Sequence, residues 1–192
     1  MKIILASSSL SRKWQLQQIG LDFIARAPNI DERRLPQELA CEMAARLSKE
    51  KAKAVQGDYS NALIIASDQV IACEHLILGK PLLRERGLAL LKKINGKHLK
   101  IFSGAYFLNT QTGRSYQHVE ETWVRLRKLK PEQLEVYLDK EPEALYCAGG
   151  IKSEGLGMLL VKEMHASDPT AVIGLPMYFV VEVLMKEGIP LL

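Results

Sequence analysis

The chain has 192 residues, of which 47% are hydrophobic and 25% charged, and a formal net charge of +4. That is the length of one domain spanning residues 1–192, or of one domain in two lobes, with enough chain to bury a core. The charge is too small to signal nucleic acid by itself and suits an anionic small ligand, and no apolar run approaches a membrane span.

Residues 1–6 are apolar but too few for a secretion signal, so Lys2–Ala6 reads as a first strand. The serine-rich run Ser7-Ser8-Ser9-Leu10-Ser11-Arg12-Lys13 leads into a helix with Trp14, Leu16 and Ile19 at helical spacing and Gly20 as its stop. Free backbone N–H groups, hydroxyls and Arg12 at a helix start make an anion cradle. The plainer alternative is an N-cap by Ser9 or Ser11 with Arg12 and Lys13 exposed. No Walker sequence follows the first strand, which argues against a P-loop ATPase.

Residues 23–27 read as a strand and Pro28 to Arg34 as a polar loop. Glu32 in that loop is either a solvated charge or a metal or catalytic carboxylate. Pro36 opens a helix over 36–55, with Leu39, Met43 and Leu47 as its buried face. Lys51 stands one turn beyond Leu47 and continues that stripe, an unusual place for a lysine unless it projects into a site. Ala62-Leu63-Ile64-Ile65-Ala66 reads as a strand buried on both faces, which changes character at Ser67-Asp68-Gln69. Asp68 at the end of such a strand either caps it or carries chemistry from a rigid support.

Residues 71–78 read as a strand pair around Glu74-His75. Lys80 then sits between Gly79 and Pro81, an ordinary turn lysine or a cation held for phosphate. Arg84–Ile94 reads as a helix ended by Asn95-Gly96. Residues 99–108 and 116–126 read as a hairpin around Asn109-Thr110-Gln111-Thr112-Gly113, with Thr122, Val124 and Leu126 facing the core and Trp123 a packing residue. A short helix over 131–138 follows. The glycine-rich stretch from Cys147 to Gly157 holds Glu154, a carboxylate with little apolar cover, and glycines that let a ligand approach the backbone. Residues 158–164 read as a strand, Asp168-Pro169-Thr170 as a turn, and 175–186 as a last helix stopped by Gly188. Cys41, Cys73 and Cys147 are odd in number and widely spaced, which reads as thiols in a reducing cytoplasm. No CxxC or HxxxH pair suggests zinc.

Taken in order, Leu5-Ala6-Ser7-Ser8-Ser9 with Arg12, Asp31-Glu32, Lys51-Ala52, Ser67-Asp68-Gln69-Val70, Gly79-Lys80-Pro81, Ala148-Gly149, Lys152-Ser153-Glu154-Gly155 and Gly174-Leu175-Pro176 resemble the Maf-type nucleotide pyrophosphatases. That family was first known as septum-formation inhibitors, and the resemblance covers essentially the whole chain. It implies an α/β fold similar to the inosine triphosphate pyrophosphatases: a mixed, elongated sheet with flanking helices around a central cleft. It implies hydrolysis of nucleoside triphosphates to the monophosphate and pyrophosphate with a divalent metal, magnesium or manganese. Gln69 and the Lys152–Gly155 motif are similar to the 7-methyl-GTP branch, since the thymidine and uridine triphosphate branch has Asp-Thr at the first place and a glutamine at that of Glu154.

The resemblance assigns Asp68 as general base and, with Glu32, as metal ligand. It assigns Ser7, Arg12, Lys51 and Lys80 to substrate binding, and Ser11, Gln69 and Glu154 to base choice. The chain departs from the family at Leu10, usually Pro, and at Ser11, often Trp or Arg; a tryptophan could stack on a methylated, cationic base, and Ser11 cannot. A cytoplasmic homodimer acting on a small nucleotide, in a house-cleaning role and without nucleic acid or membrane, completes the expectation. A pyrophosphatase of TTP or UTP, and a non-catalytic nucleotide-binding regulator of cell division, are the alternatives.

Overall fold

The continuous apolar run at residues 62–66 becomes the centre of the molecule. A computed structural model describes residues 1–192 as a seven-stranded mixed sheet with five α-helices. β1 (Lys2–Ala6) pairs in parallel with β3 (Ala62–Cys73), from Lys2 opposite Ala62 to Ala6 opposite Ala66. β2 (Ile24–Ala25) pairs in parallel on the other side of β1. β4 (Leu76–Leu78) folds back antiparallel on the end of β3. The sheet order is β2-β1-β3-β5-β6-β7, with β5 at His98–Asn109, β6 at Ser115–Leu126 and β7 at Val161–His165.

Contact clustering divides the chain into two compact units: Met1–Gln69 with Ser103–Glu120 and Asp168–Leu192, and Val70–Phe102 with Glu121–Ser167. In the first unit, the two-residue period of β3 sorts its side chains between two cores. Ile64 and Ala66 join Ala52 and Val55 of α2 (Ala40–Gln56), with Tyr106 and Leu108. Leu63 and Ile65 join Leu16 of α1 (Leu10–Gln18) and Val180, Val183 and Leu184 of α5 (Met177–Lys186). α2 lies close on the sheet because β5 offers Gly104 there, where an added Cβ would fall 2.4 Å from the Ala44 carbonyl oxygen. In the second unit, α3 (Arg84–Ile94) packs on α4 (Pro131–Lys140) and on the short turns Pro142–Tyr146 and Ala148–Gly150. The buried Tyr137 hydroxyl donates to the Gly150 carbonyl and accepts from Lys152 N, at 3.2 and 3.1 Å. No helix is long and apolar enough to cross a membrane.

Several expected boundaries move, each for a local reason. The helix read as starting at Pro36 starts at Ala40, because Gln37 takes φ 62 and cannot lie within it. Leu39 is therefore a 59% exposed cap residue rather than core, and the buried face is Ala44, Leu47, Ser48, Lys51, Ala52 and Val55. The loop ahead of it is tied down by buried Glu38, which accepts from Arg46 Nε at 2.5 Å and from Leu35 N at 3.0 Å. Those bonds, Arg46 first, hold its carboxyl below the usual carboxylate range. The strand expected over 23–27 shrinks to Ile24–Ala25. The one expected over 158–164 begins only at Val161, after the 3-10 turn Leu156–Leu160.

Asp68 is the correction that bears on function. It is not at a strand end: β3 runs on to Cys73, where Glu74 at φ 55 turns it into β4. Asp68 instead falls between the last residue paired with β1, Ala66, and the first paired with β4, Ile71.

Candidate active site

The turn from β1 into α1 resolves the two readings of the serine-rich run. Ser9 is the N-cap, its hydroxyl accepting from Arg12 N at 3.4 Å. Buried Ser7 accepts from Ser9 N at 3.1 Å and from Arg12 Nη1 at 3.4 Å, so the guanidinium is folded back over the turn. Arg12 Nε donates to the Gly174 carbonyl at 3.3 Å. Burial pulls the Arg12 pKa down, while the charges of Asp68 and then Glu32 push it back up. Arg12 therefore feels the same two carboxylates that the sequence singled out.

Those carboxylates meet at Lys51. Following Ile64 and Ala66 by the strand period, Asp68 faces α2, and Lys51 on the buried stripe of α2 reaches it with Nζ 2.5 Å from Asp68 Oδ1. The same Nζ is 2.7 Å from Glu32 Oε1. The side chains of Lys51 and Asp68 are 9% and 11% exposed, that of Glu32 55%. Two charges kept this far from water are costly unless paired, and a hydrophobic pair would serve the fold as well.

Whether these residues suit a divalent cation can be read from the donor set. Asp68 and Glu32 are hard oxygen donors aimed at one point, which the Lys51 ammonium occupies here. No group of three or more His, Cys, Asp or Glu could hold a metal. Magnesium-type sites commonly use one or two carboxylates, the remaining ligands being waters and substrate phosphates. The pair fits such an ion.

Gln69, one residue on, points to the opposite face. Its side-chain nitrogen lies 3.1 Å from Ser103 Oγ, 3.1 Å from the Ala171 carbonyl oxygen and 3.0 Å from that of Val172. Ser11 is half-buried in the first turn of α1.

Lys80 and Glu154 belong to the second unit. Lys80 is exposed in a turn held by Gly149 N, which donates to the Gly79 carbonyl at 3.1 Å. Glu154 is exposed and accepts from Ser153 Oγ at 3.3 Å. Both are felt at Cys147, whose thiol is pushed up to about 11 by burial and then by Glu154, with Lys152 and Lys80 pulling the other way. Lys152 is committed to Glu143 and, at 3.2 Å, to Glu141, which raise its pKa. The tight backbone here needs Gly157, where a Cβ would meet the Lys152 carbonyl oxygen at 2.3 Å.

The structure thus gathers Ser7, Arg12, Glu32, Lys51 and Asp68 within the first unit and turns Gln69 away from Asp68. Sequence reasoning gave no role to Gln15, Ser67, Ser103 and Asp168, all buried polar side chains of that unit. Of these, Asp168 gave a signal as the head of an Asp-Pro-Thr turn, and Ser67 as the first polar residue after the apolar run of β3.

A family model described as Maf-like protein matches residues 2–187. The 7-methyl-GTP pyrophosphatase of Alcanivorax borkumensis is 42% identical, covering 98% of this chain and 95% of that one. That of Chromobacterium violaceum is 41% identical over 100% of both chains. That of Neisseria gonorrhoeae is 37% identical, covering 99% of this chain and 97% of that one. Among solved structures, the Staphylococcus aureus Ham1 protein superposes with a TM-score of 0.49 and 12% identity, covering 68% of this chain and 74% of that chain.

Proposed function

We propose that this chain, which belongs to the Maf-like protein family, hydrolyses 7-methyl-GTP to 7-methyl-GMP and pyrophosphate. The observation that carries the reading is the Asp68–Lys51–Glu32 cluster with Arg12 in its field. It joins a base, cations for phosphate and a carboxylate pair suited to a divalent cation. The names of relatives at 37–42% identity supply the substrate.

In this mechanism Asp68 takes the proton of a water as its oxygen attacks the α-phosphorus. The bond from that phosphorus to the bridging oxygen breaks, and pyrophosphate leaves with the electron pair. Ser7 and Arg12 bind the triphosphate, and Arg12 and Lys51 stabilise the charge that grows on the leaving oxygens. Asp68 and Glu32 would hold the magnesium or manganese ion, whose contribution when bound is to neutralise triphosphate charge. Lys80 joins the phosphate-binding set on the resemblance.

Base choice is assigned to Ser11, Gln69 and Glu154. A carboxylate such as Glu154 can accept from the N1–H and the exocyclic amine of guanine. Methylation at N7 adds positive charge to the ring and so favours an anionic neighbour. We also infer, on the resemblance, a house-cleaning role on modified nucleotides in the cytoplasm and a homodimer that binds no nucleic acid.

A nucleotide panel tests the reading. With Mg²⁺ or Mn²⁺, pyrophosphate release should be fastest with 7-methyl-GTP, ahead of GTP, TTP, UTP and CTP. Glu154→Gln should lower kcat/KM for 7-methyl-GTP by about tenfold, the worth of one charged hydrogen bond, and leave UTP unchanged. A wild-type preference for TTP or UTP would reject the assigned branch.

A further inference from the structure

The Arg12 guanidinium is held at the Gly174 carbonyl, and the Gln69 side chain, turned away from Asp68, reaches the Ala171 carbonyl. Both facts lead to residues 168–175. This segment is the 3-10 turn Pro169–Ile173 followed by Gly174, yet side chains from three other elements converge on its backbone, Gln15, Ser67 and Ser103 buried and Gln69 half-buried. From β3, Ser67 Oγ donates to the Gly174 carbonyl at 2.6 Å, and the Gln69 amide reaches the carbonyls of Ala171 and Val172 at 3.1 and 3.0 Å. From β5, Ser103 Oγ donates to the Ala171 carbonyl at 2.7 Å. From α1, Gln15 donates to the Thr170 and Leu175 carbonyls at 2.9 and 3.0 Å and accepts from Leu175 N at 3.0 Å.

An ordinary turn of this length needs its own backbone bonds and an Asx cap. Asp168 already supplies the cap, accepting from Thr170 N at 2.9 Å. The additional bonds fix where the Gly174 carbonyl points. That oxygen accepts from Ser67 Oγ and from Arg12 Nε, at 2.6 and 3.3 Å. Gly174 has φ +146, and a Cβ there would lie 3.1 Å from Arg12 Cγ, so the arginine stem crosses the bare glycine.

We propose that residues 168–175 form a positioning strap for Arg12, held from β3 by Ser67 and Gln69 and from β5 by Ser103. The proposal rests on the reading that Arg12 binds the triphosphate. An arginine pinned at Nε presents its fork to phosphate with less rotamer freedom left to lose. Gln69 has two N–H groups and three acceptors at 3.0–3.1 Å, so its donors are consumed inside the unit. Ser67 and Ser103 are positioning residues in this scheme.

The test uses inorganic tripolyphosphate, a probe with no base, titrated calorimetrically into the full chain. Ser67→Ala removes the bond to the Gly174 carbonyl, and Ser103→Ala loosens the Ala171 carbonyl from β5. Each should raise the tripolyphosphate Kd by about tenfold, the scale of a modest misplacement of a binding group. In an Arg12→Ala background the same changes should cost less than about twofold, because coupled residues are not additive. The ratio of kcat/KM between 7-methyl-GTP and UTP should be unchanged in both. Three results overturn the strap: a wild-type chain that does not bind tripolyphosphate, equal losses with and without Arg12, or an altered nucleotide ratio with an unaltered tripolyphosphate Kd. A chain that binds tripolyphosphate with the expected coupling but hydrolyses no nucleotide would instead reject the proposed activity and leave the strap standing.

Discussion

Asp68→Asn should lower turnover of 7-methyl-GTP on the order of 100-fold or more, the scale of losing a general base. The change is nearly isosteric, and an asparagine oxygen can still accept from Lys51, which also keeps Glu32 at 2.7 Å. The melting temperature should therefore stay near that of the wild type, and the loss should appear in kcat rather than in tripolyphosphate affinity. Steady-state kinetics beside a thermal melt separate the two. Near-normal turnover by a well-folded Asp68→Asn variant would remove Asp68 from the chemistry.

Lys51→Met should be severe in both respects. It leaves the Asp68 carboxylate, 11% exposed, without the ammonium that lies 2.5 Å from it. Removing one partner of a buried pair costs about 3 kcal/mol or more, because the surviving charge stays desolvated. Glu32 is 55% exposed and can turn to solvent, so the penalty falls mainly on Asp68. Turnover should drop by at least about 100-fold, since charge stabilisation on the leaving group goes with the cation. Denaturant unfolding and initial rates measure the two effects. A variant as stable and as active as the wild type would mean that the Lys51 bridge is a surface convenience.

The two residues also show why parts of the site were legible. Lys51 was readable because helical period carries the stripe from Leu47 by one turn, and a lysine there has to be explained. Asp68 was singled out for its polar neighbours on an apolar run, but its position in the strand was misread. Ser67-Asp68-Gln69 looks like a break, whereas each polar side chain finds a buried partner: Gly174 for Ser67, Lys51 for Asp68 and the 171–172 carbonyls for Gln69. Those partners lie 17 to more than 100 residues away along the chain, and no local pattern announces them. The misplaced start of α2 has the same origin. Pro36 is a fair helix-opening residue, but Glu38 is engaged by Arg46 from the second turn of the helix, and Gln37 takes φ 62. Gly174-Leu175-Pro176 was noticed as a motif, while its use as an acceptor for Arg12 and Ser67 needed the fold.

The alternation in β3 and the parallel register with β1 connect these observations. Because Ile64 and Ala66 face α2, Asp68 must face it too, and Ser67 and Gln69 must face α1 and α5. A register slip of one residue would exchange the Asp68 carboxylate for the Gln69 amide on the face toward α2. The close approach at Gly104 keeps α2 near enough for Lys51 to reach.

The most direct test of the account is product analysis of 7-methyl-GTP incubated with the wild-type chain and Mn²⁺ or Mg²⁺. Equimolar 7-methyl-GMP and pyrophosphate, with no orthophosphate formed first, is the predicted result. Tight nucleotide binding without turnover, or release of orthophosphate and 7-methyl-GDP, would contradict it.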